Sequence, residues 1–273
     1  MSNTKIFICA HKEVELPQHP FFLPIQAGAA LHAPISGYQP DNEGENISEK
    51  NPYFCELTCH YWAWKNLKNV DIVGLNHYRR FFDFQKKWPQ FSADKSFIST
   101  EDFLKKEYTF PNLEKLLQMY DIILPVARHW RISNTQQYGE YHIAKDWEIL
   151  RQVIKERSPQ YISAFEKTMD HSNKSVGYNM FITHWKHFDA YSEWLFDILF
   201  EVEHRVPPID DPVQSRIYGY MSERLINVFC EYHHLHIMNI PLIMPLDLQQ
   251  SNISNWHYTY RQIYNDIIYK LHR

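Results

Sequence analysis

Glycine, cysteine and long apolar runs are all scarce in this chain of 273 residues. Its four cysteines form no Cys-x-x-Cys pair, which argues against a zinc ribbon. Cys55 and Cys59 share one helical face, where buried free thiols are the common case, so we expect a reducing compartment. No segment approaches the roughly 18 uninterrupted apolar residues of a membrane span, and the first apolar run is too short for a signal peptide. We therefore expect a cytoplasmic protein that can touch the inner face of the cytoplasmic membrane without spanning it.

The chain also lacks a net positive charge, because its formal net charge is −4. A nucleic-acid partner is therefore not expected. The hydrophobic share of 44% and the charged share of 22% are ordinary for a soluble globular protein with a substantial core. Aromatic residues, by contrast, make up 16% of the chain. Tyr and Trp resist complete burial, so we expect most rings in the core and some in a cleft, where they suit sugars and nucleobases.

Short apolar runs alternate with helical patterns along the chain, which predicts an α/β fold. We expect one domain over residues 1–273, built on a mainly parallel, doubly wound sheet with flanking helices. Residues 13–50 and 81–110 have no clear period and are predicted to be long irregular excursions. Asn51 is predicted to be a helix N-cap, followed by proline in the first turn. The predicted strands are 5–10, 71–76, 121–125, 178–183 and 235–240; the predicted helices are 51–68, 111–119, 138–157, 159–170, 184–205, 221–234 and 260–271, the last with Tyr260, Ile263, Ile267 and Leu271 on one stripe.

The segment from Asp71 to Arg80 is the most informative in the chain. Its apolar run reads as a buried strand, and His77, Tyr78, Arg79 and Arg80 follow where that strand ends. Ligands of open α/β sheets sit outside the carboxyl ends of the strands. Two adjacent guanidinium groups there favour a phosphate or carboxylate site. The alternative is a solvated basic turn.

A set of segments, taken together and in order, carries a family resemblance. The segments are Ile6–Lys12, Asn46–Ser48 with Asn51, Cys55–Thr58, Tyr61–Asn66, Val73–Arg80, Gly177–Phe181, Trp194–Leu199 and Ser222–Leu225. They resemble the bacterial glycosyltransferase family first catalogued as domain of unknown function 4422. Its members are associated with capsule, exopolysaccharide and O-antigen synthesis, and at least one is linked to galactofuranosyl transfer from UDP-galactofuranose. The resemblance implies a GT-A-like fold, a UDP-sugar donor, and an oligosaccharide or lipid-linked glycan as acceptor.

Most GT-A enzymes hold a divalent metal with an Asp-x-Asp motif, but this chain has none. Our hypothesis is that Arg79 or Arg80, together with His77, neutralises the donor diphosphate, since arginine keeps its charge at working pH. The competing hypothesis is that Asp83 or a histidine still recruits a metal ion. We favour a site without a metal or other cofactor.

The resemblance also implies donor-binding roles at two strand ends and in one loop. Ala10, His11 and Lys12 end the first predicted strand, where GT-A folds grip uridine and ribose. Asn46 and Ser48 lie in a loop that can donate hydrogen bonds to donor hydroxyls, and without the resemblance they are turn residues. The segment Gly177–Met180 resembles the one that faces the transferred sugar. The predicted donor-binding residues are therefore Ala10, His11, Lys12, Asn46, Ser48, His77, Tyr78, Arg79, Arg80 and Asn179.

Inverting transfer needs a carboxylate that accepts the proton of the acceptor hydroxyl. The resemblance favours Glu223 as this base; alternatively, Ser222 caps the helix and Glu223 interacts with its dipole. Asp146 is the second candidate, and Asp210 or Asp211 the third. Trp130, Tyr138 and Tyr141 are candidate stacking surfaces for an acceptor sugar, or structural residues.

We consider three functional hypotheses. The first, which the resemblance implies, is an inverting, UDP-sugar-dependent glycosyltransferase that moves galactofuranose, galactose or another sugar. The second is a non-catalytic subunit that binds carbohydrate or nucleotide-sugar. The third is a metal-dependent hydrolase, motivated by 16 histidines, none of which has a recognised zinc-motif spacing.

Overall fold

The computed structural model describes residues 2–85, 95–246 and 255–272. Its strands are β1 (Thr4–Ala10), β2 (Phe22–Gln26), β3 (Gln39–Pro40), β4 (Ile72–His77), β5 (Phe81–Phe82), β6 (Lys95–Ser99), β7 (Ile122–Pro125), β8 (Arg128–His129), β9 (Lys174–Ser175), β10 (Phe181–His184), β11 (Ile237–Ile240) and β12 (Leu242–Leu246). Its α-helices are α1 (Asn51–Phe54), α2 (Leu57–Asn66), α3 (Thr100–Leu104), α4 (Leu113–Leu116), α5 (Asn134–Tyr141), α6 (Ala144–Arg157), α7 (Ile162–Phe165), α8 (Trp185–Arg205), α9 (Ile217–Tyr232) and α10 (Asn255–Leu271).

The main sheet has the strand order β3-β2-β1-β4-β10-β7-β11 within the described residues. Strand β10 runs antiparallel to β4 and β7, and the other pairs are parallel. Strands β1 and β4 are apolar and almost fully buried, as expected for parallel strands covered on both faces. Gly74 allows this packing, since a Cβ there would lie 2.9 Å from the Phe181 carbonyl oxygen. The predicted mainly parallel sheet is confirmed.

The two predicted excursions contain regular structure that their sequences hide. Residues 13–50 supply β2 and β3, which extend the main sheet beyond β1. Pro24 lies inside β2, where a residue without an N–H group normally argues against a strand. Residues 81–110, of which 86–94 lie outside the described part, supply β5 and β6 on either side of β12 in a second, three-stranded sheet. The prediction of irregular structure was therefore wrong for these strands.

Helix positions were predicted better than helix ends. The predicted helix 138–157 is two helices, because a Ser133 capping box starts α5 early and the chain turns between α5 and α6. The predicted Asn51 N-cap is wrong, since the N-cap is Lys50 and the Asn51 amide donates to the Cys55 carbonyl at 2.8 Å. Among the described residues, no helix is long and apolar enough to cross a membrane.

Candidate active site

A cavity of about 560 Å³ lies at the carboxyl ends of β1 and β4; we call it the first cavity. The parallel register pairs Cys9 with His77, so the two strand ends lie side by side. This is the position at which open α/β sheets bind ligands. The first cavity is lined by Cys9, Ala10, His11, Ala27, Asn51, Pro52, Cys55, Glu56, His77, Tyr78, Arg79, Arg80, Pro212, Ser215, Arg216, Tyr220 and Glu223.

A tight turn after β4 brings the two predicted arginines to this cavity. The Arg80 backbone N–H donates to the His77 carbonyl at 3.1 Å, and the Tyr78 N–H donates to the Cys9 carbonyl at 3.1 Å. Arg79 is exposed at the rim, with its guanidinium carbon 5.5 Å from the centre of the Tyr78 ring. Arg80 is half-buried. Both arginines therefore line the cavity, and one of them is anchored in its wall.

A hydrogen-bond chain fixes the protonation of His77 and the position of Arg80. The His77 Nε2–H donates to the Tyr178 carbonyl at 2.6 Å, and His77 Nδ1 accepts from Arg80 Nη1 at 3.3 Å. Burial holds the pKa of His77 well below its ordinary value, and the Arg80 charge lowers that pKa further. His77 is therefore neutral. The buried Nε of Arg80 has no hydrogen-bond partner within the described part of the chain.

Backbone strain is concentrated around this cavity. Tyr178 and Asn179 have φ angles of +76° and +50°, and Cys55 has φ of +53°. Such conformations cost about 1–3 kcal/mol each for residues with side chains, and they cluster at functional sites. The ring of Tyr178 lies 4.7 Å from the Arg80 guanidinium carbon and 4.3 Å from that of Arg128. The residue with this unusual backbone conformation therefore provides an aromatic face for two cations.

Glu56 and Glu223 are the carboxylates that line the first cavity in the described structure. Glu223 is half-buried in the second turn of α9. Burial raises the pKa of Glu223; the charge of Glu56 raises it further, whereas Arg224, Arg128 and Arg80 lower it. Glu56 Oε1 accepts a hydrogen bond from Asn179 at 2.8 Å and lies 3.7 Å from His77 Nε2.

A second cavity of about 470 Å³ meets the first at Tyr220 and Glu223, which line both. Strand β8 and helices α5 and α10 contribute to its wall. Its lining is rich in aromatic rings, imidazoles and amides, which are groups that bind sugars by stacking and hydrogen bonding. The second cavity is lined by Lys95, Arg128, His129, Trp130, Gln137, Tyr141, His142, Val213, Tyr220, Glu223, Arg261, Gln262 and Asn265.

The structure brings most of the predicted strand-end residues together. The first cavity contains Ala10, His11, His77, Tyr78, Arg79, Arg80 and Glu223. Lys12 lies beside it, with Nζ 5.8 Å from the centre of the Tyr78 ring, and lines an adjoining depression. The position of the strand-end residues at the carboxyl ends of β1 and β4 was predicted. Their binding roles stay predictions.

Besides Lys12, three predicted donor-binding residues do not line the first cavity. Asn46 donates hydrogen bonds to the carbonyls of Asn42 and Gly44 and so holds its own turn. Ser48 is fully buried, where its hydroxyl donates to Asp41. Asn179 is buried and donates to Glu56, so it positions a carboxylate instead of facing the cavity.

The alternative acids are also placed elsewhere. Asp146 is buried in the first turn of α6 and lines neither cavity, so its prediction as a base loses its geometric support. Asp211 accepts the backbone N–H groups of Val213 and Gln214 at 2.8 and 2.7 Å, which makes it a turn residue. Asp83 lines a separate depression beside Phe84.

The predicted helix-cap role of Ser222 is wrong. Helix α9 begins at Ile217, four residues earlier than the predicted start. The Ser222 hydroxyl is buried and donates to Asn179 Oδ1. Glu223 is therefore not in the first turn, where a carboxylate interacts most favourably with the helix dipole.

Sequence reasoning missed Glu56, Arg216 and Arg128. Glu56 stands inside the segment Cys55–Thr58 that carries the resemblance, and its place in that segment was the available signal. Arg216 is exposed at the rim and donates from Nε to Cys55 Sγ at 3.1 Å. Burial raises the pKa of Cys55 to about 12, so the group is a thiol at neutral pH. Nothing in the local sequence marks Arg128.

Some of the aromatic residues predicted to bind an acceptor line the second cavity, and others do not. Trp130 and Tyr141 line the second cavity, whereas Tyr138 is buried and stacks on Trp147 with ring centres 4.5 Å apart. His233 is hydrogen-bonded to the Tyr161 hydroxyl at 2.8 Å. Within residues 2–85, 95–246 and 255–272, no three or more His, Cys, Asp or Glu side chains form a group that could hold a metal ion. The hydrolase hypothesis thus has no candidate metal centre in these ranges.

The strand order and the cavity at the carboxyl ends of β1 and β4 define a mixed α/β protein with a GT-A-like fold. The model of the family described as domain of unknown function DUF4422 matches residues 5–234, and the chain belongs to this family. A solved structure of apo WbbM, a bifunctional glycosyltransferase, is similar, with a TM-score of 0.79 and 27% sequence identity over 90% of this chain. The match covers 46% of the WbbM chain, so the present chain corresponds to less than half of that protein. A search of curated proteins finds no significant match.

Proposed function

We propose that this protein is a glycosyltransferase that moves a sugar from a UDP-sugar to a growing surface polysaccharide or lipid-linked glycan. The observation that carries the proposal is the position of Glu223, a carboxylate shared by a cavity lined with arginines and a cavity rich in rings and amides. The similarity to WbbM supports the same class of reaction.

The first cavity suits the nucleotide diphosphate of the donor. Breaking the bond between the sugar and the diphosphate builds negative charge on the leaving oxygen, so catalysis needs fixed positive groups there. Arg80 supplies a guanidinium held by His77, and Arg79 and Arg216 add exposed guanidinium groups at the rim. These cations stabilise the departing UDP without a proton transfer.

Glu223 is the proposed base. The acceptor sugar occupies the second cavity, and its hydroxyl gives its proton to Glu223 while its oxygen attacks the anomeric carbon from the face opposite the diphosphate. This in-line geometry gives inversion. Burial raises the pKa of Glu223, which makes its carboxylate a stronger base than an exposed glutamate. Galactofuranose and galactose are the first donor sugars to test.

We further propose that the reaction needs no bound metal ion, since the arginines of the first cavity supply the positive charge. The test measures UDP affinity with and without an excess of chelator. Equal affinities support the proposal, whereas complete loss of binding in chelator overturns the role of the arginines.

A donor screen tests the proposed activity itself. UDP-galactofuranose, UDP-galactose and UDP-glucose are compared for protection against thermal unfolding and for release of UDP in the presence of an oligosaccharide acceptor. A donor that both protects and is consumed supports the transferase, because a ligand that binds the native state raises its stability. Protection by a UDP-sugar without any turnover, including slow hydrolysis, would favour the non-catalytic binding subunit instead.

A further inference from the structure

Helix α10 packs against the protein through polar side chains. Gln262 Oε1 accepts from the His129 backbone N–H at 2.9 Å, and the Asn265 amide donates to the His129 carbonyl at 2.8 Å. Asp266 lies 3.3 Å from His129 Nδ1, and Asn265 is only 7% exposed. A helix on the surface of a globular protein normally turns its apolar face inward, so this orientation is reversed.

The opposite face of α10 is apolar and open. Tyr260 is 69% exposed, Ile263 49%, Ile267 51% and Leu271 74%. Their spacing of three and four residues places them on one stripe, and Tyr264, at 39% exposure, widens it. We call these five residues the α10 stripe. Contiguous exposed apolar surface of this kind marks a contact with another molecule or with a membrane.

Positive charge surrounds the α10 stripe although the whole chain carries −4. Arg261 and Lys270 lie on α10 itself, Lys174 approaches Asp266 at 3.8 Å, and the Arg131 guanidinium carbon lies 5.1 Å from the Tyr264 ring centre. Asp266 is the acidic residue of α10; it faces His129 on the body of the protein and also pairs with Lys270 at 2.7 Å, so it offsets one of these four positive charges. The surface next to the stripe is therefore basic.

We propose that the α10 stripe docks on an anionic lipid surface, with the helix lying in the plane of the interface. Aliphatic side chains provide apolar area, and tyrosines suit the boundary between headgroups and acyl chains. Neighbouring lysines and arginines attract anionic headgroups, and this charge complementarity favours lipid over a neutral apolar partner. The docking is peripheral.

The same helix connects this surface to the second cavity. Arg261, Gln262 and Asn265 of α10 line that cavity, while the stripe faces away from the body. If the second cavity takes the acceptor, a point that rests on the proposed function, docking through α10 brings it next to a glycan carried on a lipid. The lipid contact itself does not depend on that role.

A vesicle flotation assay tests the docking. The probes are vesicles of phosphatidylethanolamine with phosphatidylglycerol and, for comparison, vesicles of phosphatidylcholine alone. The wild type should float with the anionic vesicles, and added salt should weaken this binding. The double variant Ile267→Glu with Leu271→Glu should bind about a hundredfold more weakly, since each change removes roughly a tenfold contribution from an apolar side chain.

Met119→Glu is the matched control, because Met119 is an apolar residue of similar exposure, 56%, outside the stripe. It should bind vesicles like the wild type, and thermal unfolding should show that every variant is folded. Equal flotation of the double variant and the wild type overturns the proposal, as does the absence of wild-type binding to anionic vesicles. A wild-type dimer that the double variant splits, with no vesicle binding, would assign the stripe to a second copy and also overturn it. Glu223→Gln should float normally, so a failed transferase remains distinguishable from failed docking.

Discussion

The two cavities that meet at Glu223 differ in the secondary-structure elements and the residue types that line them. The first lies at the ends of two buried strands, and one of its cations, Arg80, is hydrogen-bonded to His77 beside the positive-φ backbone of Tyr178. The second is assembled by α10 and the short strand β8, and offers mainly rings, imidazoles and amides with some cations. Under the proposed function, the first cavity takes the charged diphosphate and the second takes the acceptor sugar. Glu223 lines both cavities, so the two proposed reactants would meet there.

The largest expected effect is on the transfer rate when Glu223 is substituted. Glu223→Gln keeps the size of the side chain but cannot accept the proton of the acceptor, so the transfer rate should fall by about 10²–10⁴-fold. The affinity for UDP should change little. Asp146→Asn is the control, because Asp146 is a buried helical acid that lines neither cavity. Near-normal transfer by Glu223→Gln would remove this residue from the mechanism.

A smaller effect should separate the second cavity from the first. Tyr141→Ala removes an exposed ring from the second cavity, so we expect about a tenfold rise in the acceptor KM with the donor KM unchanged. Tyr120→Ala, outside both cavities, should change neither constant. A rise in the donor KM instead would contradict the division of the two reactants between the cavities.

The smallest effect is a displacement of the pH profile. Glu223 must be ionised to act as the base, and because its pKa is raised, transfer should fall on acidification at a pH above the ordinary glutamate range. Glu56→Gln removes a charge that raises this pKa, so the acidic limb should move to lower pH. Arg128→Gln removes a charge that lowers it, so the limb should move to higher pH. Rates at saturating donor measure both, and shifts in the same direction would contradict the assignment.

Local patterns are enough to predict part of the site. An apolar run followed at once by a basic turn marks the end of β4. The amino-acid sequence alone therefore places Arg79 and Arg80 just beyond the carboxyl end of a strand. The resemblance, not the physics of the segment, singles out Glu223. Its helix was predicted to start late because no capping residue marks Ile217.

The resemblance implies donor-binding roles for Asn46 and Ser48, whereas their residue types alone predict turn residues. Their side chains do bond within their own loop, to Gly44 and Asp41. Other features depend on contacts that no local pattern encodes. Glu56 reaches the first cavity only through the break between α1 and α2 and the distant amide of Asn179. The second cavity requires α10 to pack on β8, more than a hundred residues away in sequence.

The proposed function requires the guanidinium groups after β4 to hold the donor diphosphate. UDP and UMP affinities are compared for the wild type and for the double variant Arg79→Gln with Arg80→Gln, and thermal unfolding checks the fold. The wild type should bind UDP at least about tenfold more tightly than UMP, and this difference should vanish in the variant while UMP affinity falls less. A variant that still prefers UDP to UMP as strongly as the wild type does would contradict the claim.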